Sequence, residues 1–113
     1  LLTTQNIKEG RENFYGKEFS SFAEVQKTLP LFDKDFSNLP ATVIFVAEFD
    51  PLSSEGILYD KILRDNGQKS FCYIEKGLVH SYIRARNRSK KARDSFRRIL
   101  MATNNIAKNI WPY

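Results

Sequence analysis

Two stretches of this chain read as buried strands, and an amphipathic helix lies between them. Residues 41–47, Ala41-Thr-Val-Ile-Phe-Val-Ala47, are apolar and rich in β-branched side chains, with no alternation. A strand covered on both faces reads this way, the usual case in a parallel sheet. Downstream, Ser53 or Ser54 can cap a helix running to about Asp65, with Ile57, Leu58, Ile62 and Leu63 on one face. Asn66-Gly67 closes that helix with residues that accept left-handed geometry. The second strand covers residues 69–75 and contains Ser70-Phe-Cys-Tyr-Ile74. Strand, helix and strand in this order predict a β-α-β unit, with parallel strands and a right-handed crossover.

A third pattern follows. Ala92, Phe96, Ile99, Leu100, Thr103, Ile106, Ala107 and Ile110 form a stripe at helical spacing, predicting a helix from near Ser89 to about Ile110. Its apolar stripe is expected to face the sheet, and Trp111-Pro112-Tyr113 to terminate it. The first 40 residues are less regular. Residues 1–20 show no clear period, and Lys8-Glu-Gly-Arg-Glu12 reads as loop. Phe14, Tyr15, Phe19 and Phe22 are many aromatics for a polar stretch and are expected to pack. Ser21-Phe-Ala-Glu24 matches a capping box, so a short helix to about Thr28 is expected, ending before Pro30. Leu31 to Pro40 reads as a loop. The division is therefore one partial domain over 1–113, an irregular or short helical lead-in over 1–40 and a β-α-β-α unit over 41–113.

Length and composition narrow this picture. A chain of 113 residues makes one domain or part of one. No apolar run approaches the ~18 residues of a membrane span. The start, Leu1-Leu2-Thr3-Thr4, has neither Met nor a signal-peptide pattern. It reads as the interior of a longer polypeptide, and an artificial truncation would read the same. A lone cysteine, Cys72, allows no internal disulfide and fits a reducing compartment such as the cytoplasm. Within a strand it reads as a small buried hydrophobe. One histidine and one cysteine are too few for a structural zinc site. Of the 18 basic residues, eight fall in one segment: Arg84, Arg86, Arg88, Lys90, Lys91, Arg93, Arg97 and Arg98. Such a cluster can bind phosphates, but the favoured reading is the solvated face of a surface helix, with nucleic acid disfavoured as a partner.

The candidate chemistry lies at the strand ends. Asp50 follows the first strand, and His80 follows the second. In an open α/β sheet, functional side chains gather just beyond the carboxyl ends of the strands. An acid and an imidazole brought together there are the last two members of a Ser…Asp…His triad in the α/β-hydrolase order. Glu48 is a competing acid, because two positions along a strand share a face. The bland alternatives are a turn or helix-capping aspartate before Pro51 and an ordinary loop histidine.

The residues around both positions resemble a known family. Phe45 to Gly56, FVAEFDPLSSEG, resembles the segment around the catalytic acid in the hormone-sensitive-lipase-like branch of α/β-hydrolase esterases, where D-P-L is commonly followed by E-G. Asn38-Leu-Pro40 fits the L-P that commonly precedes that strand. Gly77-Leu-Val-His-Ser-Tyr82 resembles the G-x-x-H-G-F around the catalytic histidine, with Ser81 and Tyr82 departing from Gly and Phe. The resemblance covers roughly Leu29 to Ile110. It implies that Asp50 is the triad acid and His80 the general base. It also implies a serine carboxylesterase or lipase acting through an acyl-serine, with no metal or organic cofactor.

Two parts of that machinery are absent from the sequence. No glycine is followed two positions later by a serine, so the G-x-S-x-G elbow is missing, and so is the H-G-G-G-like oxyanion motif. The expectation is the C-terminal portion of such an esterase, inactive alone. Its partners would be an ester substrate in the complete enzyme and, for an uncovered sheet edge and helix face, the missing half of the fold or self-association. The rivals are a non-catalytic α/β binding module using its basic surface and a degenerate hydrolase relative that lost its nucleophile.

Overall fold

A computed structural model describes residues 3–15 and 29–113. Its elements are helix α1 (Thr4–Tyr15), strand β1 (Thr42–Phe49), helix α2 (Ser53–Asp65), strand β2 (Ser70–Val79) and helix α3 (Lys90–Ala107). Short 3-10 turns occupy Pro30–Phe32 and Tyr82–Ala85. The expected short helix at 21–28 and the packing of Phe19 and Phe22 lie outside the described residues, as do the side chains of Phe14 and Tyr15.

The β-α-β unit is present. β1 and β2 pair in parallel, from Thr42 opposite Ser70 to Ala47 opposite Glu75. Alternate side chains point to opposite faces, and each face carries a helix. Ile44 and Val46 lie under Gly56 of α2, where an added Cβ would stand 2.5 Å from Val46 Cγ1. Only glycine lets α2 approach the sheet so closely, which gives the Glu55-Gly56 motif a packing reason. On the same face, buried Asp60 of α2 accepts from Ser70 Oγ at 2.7 Å and from Arg64 Nε at 2.9 Å. The other face carries α3. Ala47, Leu78 and Ala92 form a buried cluster there, with Tyr82 packed against it. Coverage of both faces is why the strand sequences lack alternation.

Helices α1, α2 and α3 each correct the sequence-based expectation. The Lys8–Glu12 loop is helical, part of α1. Its start is capped reciprocally: Thr3 Oγ1 accepts the Asn6 N–H at 3.2 Å, and Asn6 Oδ1 accepts the Thr3 N–H at 3.1 Å. A capping box with Asn in place of Glu carries no apolar period, so periodicity passed over it. The second correction is at α2, where neither Ser53 nor Ser54 caps. Its N-cap is Leu52, and Asp50 Oδ1 accepts the Leu52 N–H at 2.8 Å instead. The C-terminus behaves as expected: Gly67 has φ 75°, and Gln68 N–H donates to Leu63 O at 3.0 Å.

α3 supplies the third. Ser89 caps it, its hydroxyl accepting from Ala92 N. The helix ends at Ala107 rather than Ile110, because Asn109 turns left-handed at φ 55°. Ile110 N–H then donates back to Asn105 O at 2.8 Å, and Asn109 N–H to Ile106 O at 3.0 Å, a Schellman closure. The buried seam is also not the expected stripe. Ala92, Ser95 and Ala102 are buried, whereas Leu100, Ile106 and Ile110 are 52%, 40% and 50% exposed. Phe96 and Ile99 are half-buried. Small side chains bring the helix backbone onto the sheet, and the bulky residues are left on its flank.

Candidate active site

Asp50 is the first residue beyond β1, and His80 is the first beyond β2. Parallel pairing puts both strand ends on the same edge of the sheet, so the two side chains meet. His80 Nδ1 lies 2.8 Å from Asp50 Oδ2. The other carboxylate oxygen, Oδ1, is held by the Leu52 N–H in the turn through Pro51. Asp50 is thus both a turn residue and a partner of His80, with each oxygen assigned. A carboxylate on Nδ1 fixes the imidazole tautomer with the proton on Nδ1, leaving the Nε2 lone pair to accept one. No described residue hydrogen-bonds Nε2, and the His80 side chain is 39% exposed against 12% for Asp50.

The segment around His80 is anchored on both sides. Leu78 is buried in the core two residues earlier. Ser81 adopts left-handed backbone at φ 62°. That geometry is natural for glycine, which is why G-x-x-H-G-F has Gly at this position. Tyr82 then packs into the core, and its hydroxyl accepts from buried Ser95 Oγ at 2.6 Å. Burial pushes the Tyr82 phenol up, so it remains protonated.

Glu48, the rival acid, does not touch His80. Its Oε2 accepts the Gly77 N–H at 2.8 Å, and Oε1 faces Lys76 Nζ at 3.4 Å. The Gly77 amide, with Lys76 and Lys91 nearby, holds its carboxyl below the usual range. Along the sequence Gly77 falls beyond the strand expected over 69–75, so nothing pairs it with Glu48, whereas β2 runs on to Val79.

Cys72 is half-buried rather than buried, and that partial burial raises its thiol. Among the described residues no group of His, Cys, Asp and Glu could hold a metal ion, and no helix is long and apolar enough to cross a membrane. The basic segment is not one uniform solvated face. Arg86 lies over the Phe96 ring at 5.2 Å, Lys90 and Arg97 pair with Asp94, and Arg98 pairs with buried Glu75. Arg98 thus departs from the expected solvated face, because its partner is buried.

Comparison with known proteins gives the fold family. Residues 1–84 match the family described as alpha/beta hydrolase fold. An arylesterase of Saccharolobus solfataricus is 35% identical over 54 residues, which are 48% of this chain and 18% of that protein. The solved structure of an esterase from Pyrobaculum calidifontis, in a monoclinic form, superposes with a TM-score of 0.65 at 29% identity. That match covers 69% of this chain and 25% of the esterase. The chain thus spans a quarter or less of the length of these relatives. The hormone-sensitive-lipase-like character carried by the Asp50 and His80 motifs accords with all three matches.

Proposed function

The chain belongs to the α/β-hydrolase fold family, and we propose that it is the C-terminal portion of a serine carboxylesterase, contributing the triad acid Asp50 and the general base His80. The observation that carries the proposal is the 2.8 Å contact between His80 Nδ1 and Asp50 Oδ2 at the carboxyl edge of a parallel sheet. The esterase character of the similar proteins supports the reaction class.

In this reading the nucleophilic serine and the oxyanion donors come from the part of the fold outside this chain. His80 Nε2 takes the serine proton as the hydroxyl attacks the ester carbonyl. Asp50 stabilises the imidazolium that forms. The proton passes to the departing alcohol, leaving an acyl-serine. Water, activated by the same nitrogen, releases the acid and restores the serine.

The test compares two proteins. The 113-residue chain alone should not turn over a p-nitrophenyl ester above the buffer rate, and a fluorophosphonate should label none of its serines. The complete polypeptide should be active, and His80→Ala in it should lose several orders of magnitude in kcat. Stoichiometric labelling of a serine in the isolated chain, or a fully active His80→Ala enzyme, would overturn the proposal.

A further inference from the structure

We infer that Glu48 is a positioning residue for His80, its carboxylate clamping the bulge in β2 that brings His80 opposite Asp50. The inference rests on the reading of His80 as general base and adds a residue to that site.

The strand register carries the argument. The strands pair one to one as far as Ala47 and Glu75. The next pair is Phe49 with Val79, with a register shift between. A single β1 residue, Glu48, therefore stands against three of β2: Lys76, Gly77 and Leu78. β2 has gained two residues. Asp50 and His80 each follow directly on the Phe49–Val79 pair. Had the ladder continued one to one, Phe49 would pair with Gly77 and Asp50 would lie opposite Leu78. His80 would then sit two residues farther on, about 6.6 Å at roughly 3.3 Å per residue. A 2.8 Å contact does not survive a displacement of that size. The Asp50–His80 contact thus depends on the bulge.

Three features hold the bulge. Gly77 supplies its left-handed backbone, at φ 72°. Glu48 Oε2 accepts the Gly77 N–H at 2.8 Å, the amide at the point where one-to-one pairing fails. Lys91 of α3 lies over Gly77, its Nζ 2.7 Å from where a Cβ would stand. Of the three, Glu48 ties the bulge to the strand that carries Asp50. Only one residue separates it from Asp50, so both ends of the clamp move with the acid and base they align.

The test uses Glu48→Ala, which removes the acceptor, and Glu48→Gln, whose amide oxygen can still take the Gly77 N–H. In the complete enzyme, Glu48→Ala should lower kcat on the order of a hundredfold while KM stays within about twofold, because misplacement of the base by an ångström or more acts on the chemical step. Glu48→Gln should retain most of kcat. A second readout does not depend on ester hydrolysis. In the complete enzyme, the low-field Nδ1 proton NMR signal that His80→Ala abolishes is assigned to His80. That signal, from an Nδ1–H bound to Asp50, should be present in the complete wild-type enzyme and in its Glu48→Gln variant and absent in Glu48→Ala. An Nδ1 signal unchanged in Glu48→Ala, a wild-type kcat in that variant, or a Gln variant as impaired as the Ala variant would each overturn the inference. His80→Ala is the control for the underlying reading. If it leaves ester turnover intact while the Nδ1 signal still follows residue 48, the esterase assignment fails and the clamp stands.

Discussion

Glu75, 2% exposed in the middle of β2, receives the Arg98 guanidinium of α3 through both its oxygens, with Nε at 3.0 Å from Oε1. Arg98 also lies over the Tyr73 ring, 5.1 Å from its centroid. One arginine of a segment that reads as a solvated basic run thus joins helix to sheet. Breaking a buried pair from one side strands the other charge. Arg98→Met is expected to cost about 3 kcal/mol in the complete protein, the lower end of the usual range because 38% of the Arg98 side chain keeps contact with water. Reversal of Arg93 and Arg97 to Glu should cost under about 1 kcal/mol. Urea denaturation of both variants gives the ranking, and equal losses would count against the buried pair.

Tyr82 and Ser95 form a second pair between the His80 loop and α3. Ser95 is fully buried, so Tyr82→Phe leaves its hydroxyl without the 2.6 Å acceptor. That single change should cost about 1–3 kcal/mol. Adding Ser95→Ala should return most of the loss, since removing both partners removes the unsatisfied group. A double-mutant cycle on unfolding free energies measures this coupling, and additive losses would refute it.

Gly56→Ala should destabilise although Ala is the better helix former. The new methyl would stand 2.5 Å from Val46 Cγ1 and 3.4 Å from Ile44 Cγ2, so the helix must lift from the sheet. Overpacking of this kind costs about 1–3 kcal/mol. Combining it with Val46→Ala, which removes the clashing methyl, should make Gly56→Ala less costly than it is alone. Thermal unfolding of the two singles and the double decides it.

Glu48 gives a pH signature. Its carboxyl is held below its ordinary value in the folded state, first by the Gly77 N–H. A group depressed in this way contributes stability above its unfolded pKa and loses it as pH falls through the folded one. Acid titration followed by circular dichroism should therefore show wild type losing stability from about pH 4.5 downward. Glu48→Gln, with nothing to protonate there, should show a shallower acid limb. Superimposable curves would mean that the Gly77 contact does not form in solution.

The sequence by itself determined the elements that carry the candidate site. Continuous apolar runs at 41–47 and 70–74 read as strands covered on both faces. An amphipathic helix between them points to parallel pairing, and parallel pairing puts Asp50 and His80 on one edge. These follow from local periodicity and chain connectivity, which are properties of neighbouring residues. What only the tertiary structure decided depends on contacts across elements. Spacing left Glu48 and Asp50 as rival acids, and a two-residue bulge at Gly77 separated them by giving Glu48 an amide and Asp50 the imidazole. The α3 stripe was legible as a helix. Its contact face was not, because close approach selects the small residues Ala92, Ser95 and Ala102 over the larger Leu100 and Ile106. Along the chain Arg98 resembles its neighbours, and its partner Glu75 lies 23 positions earlier. A residue's partner across the fold is set by the three-dimensional register of strands and helix, and no window along the chain contains that register.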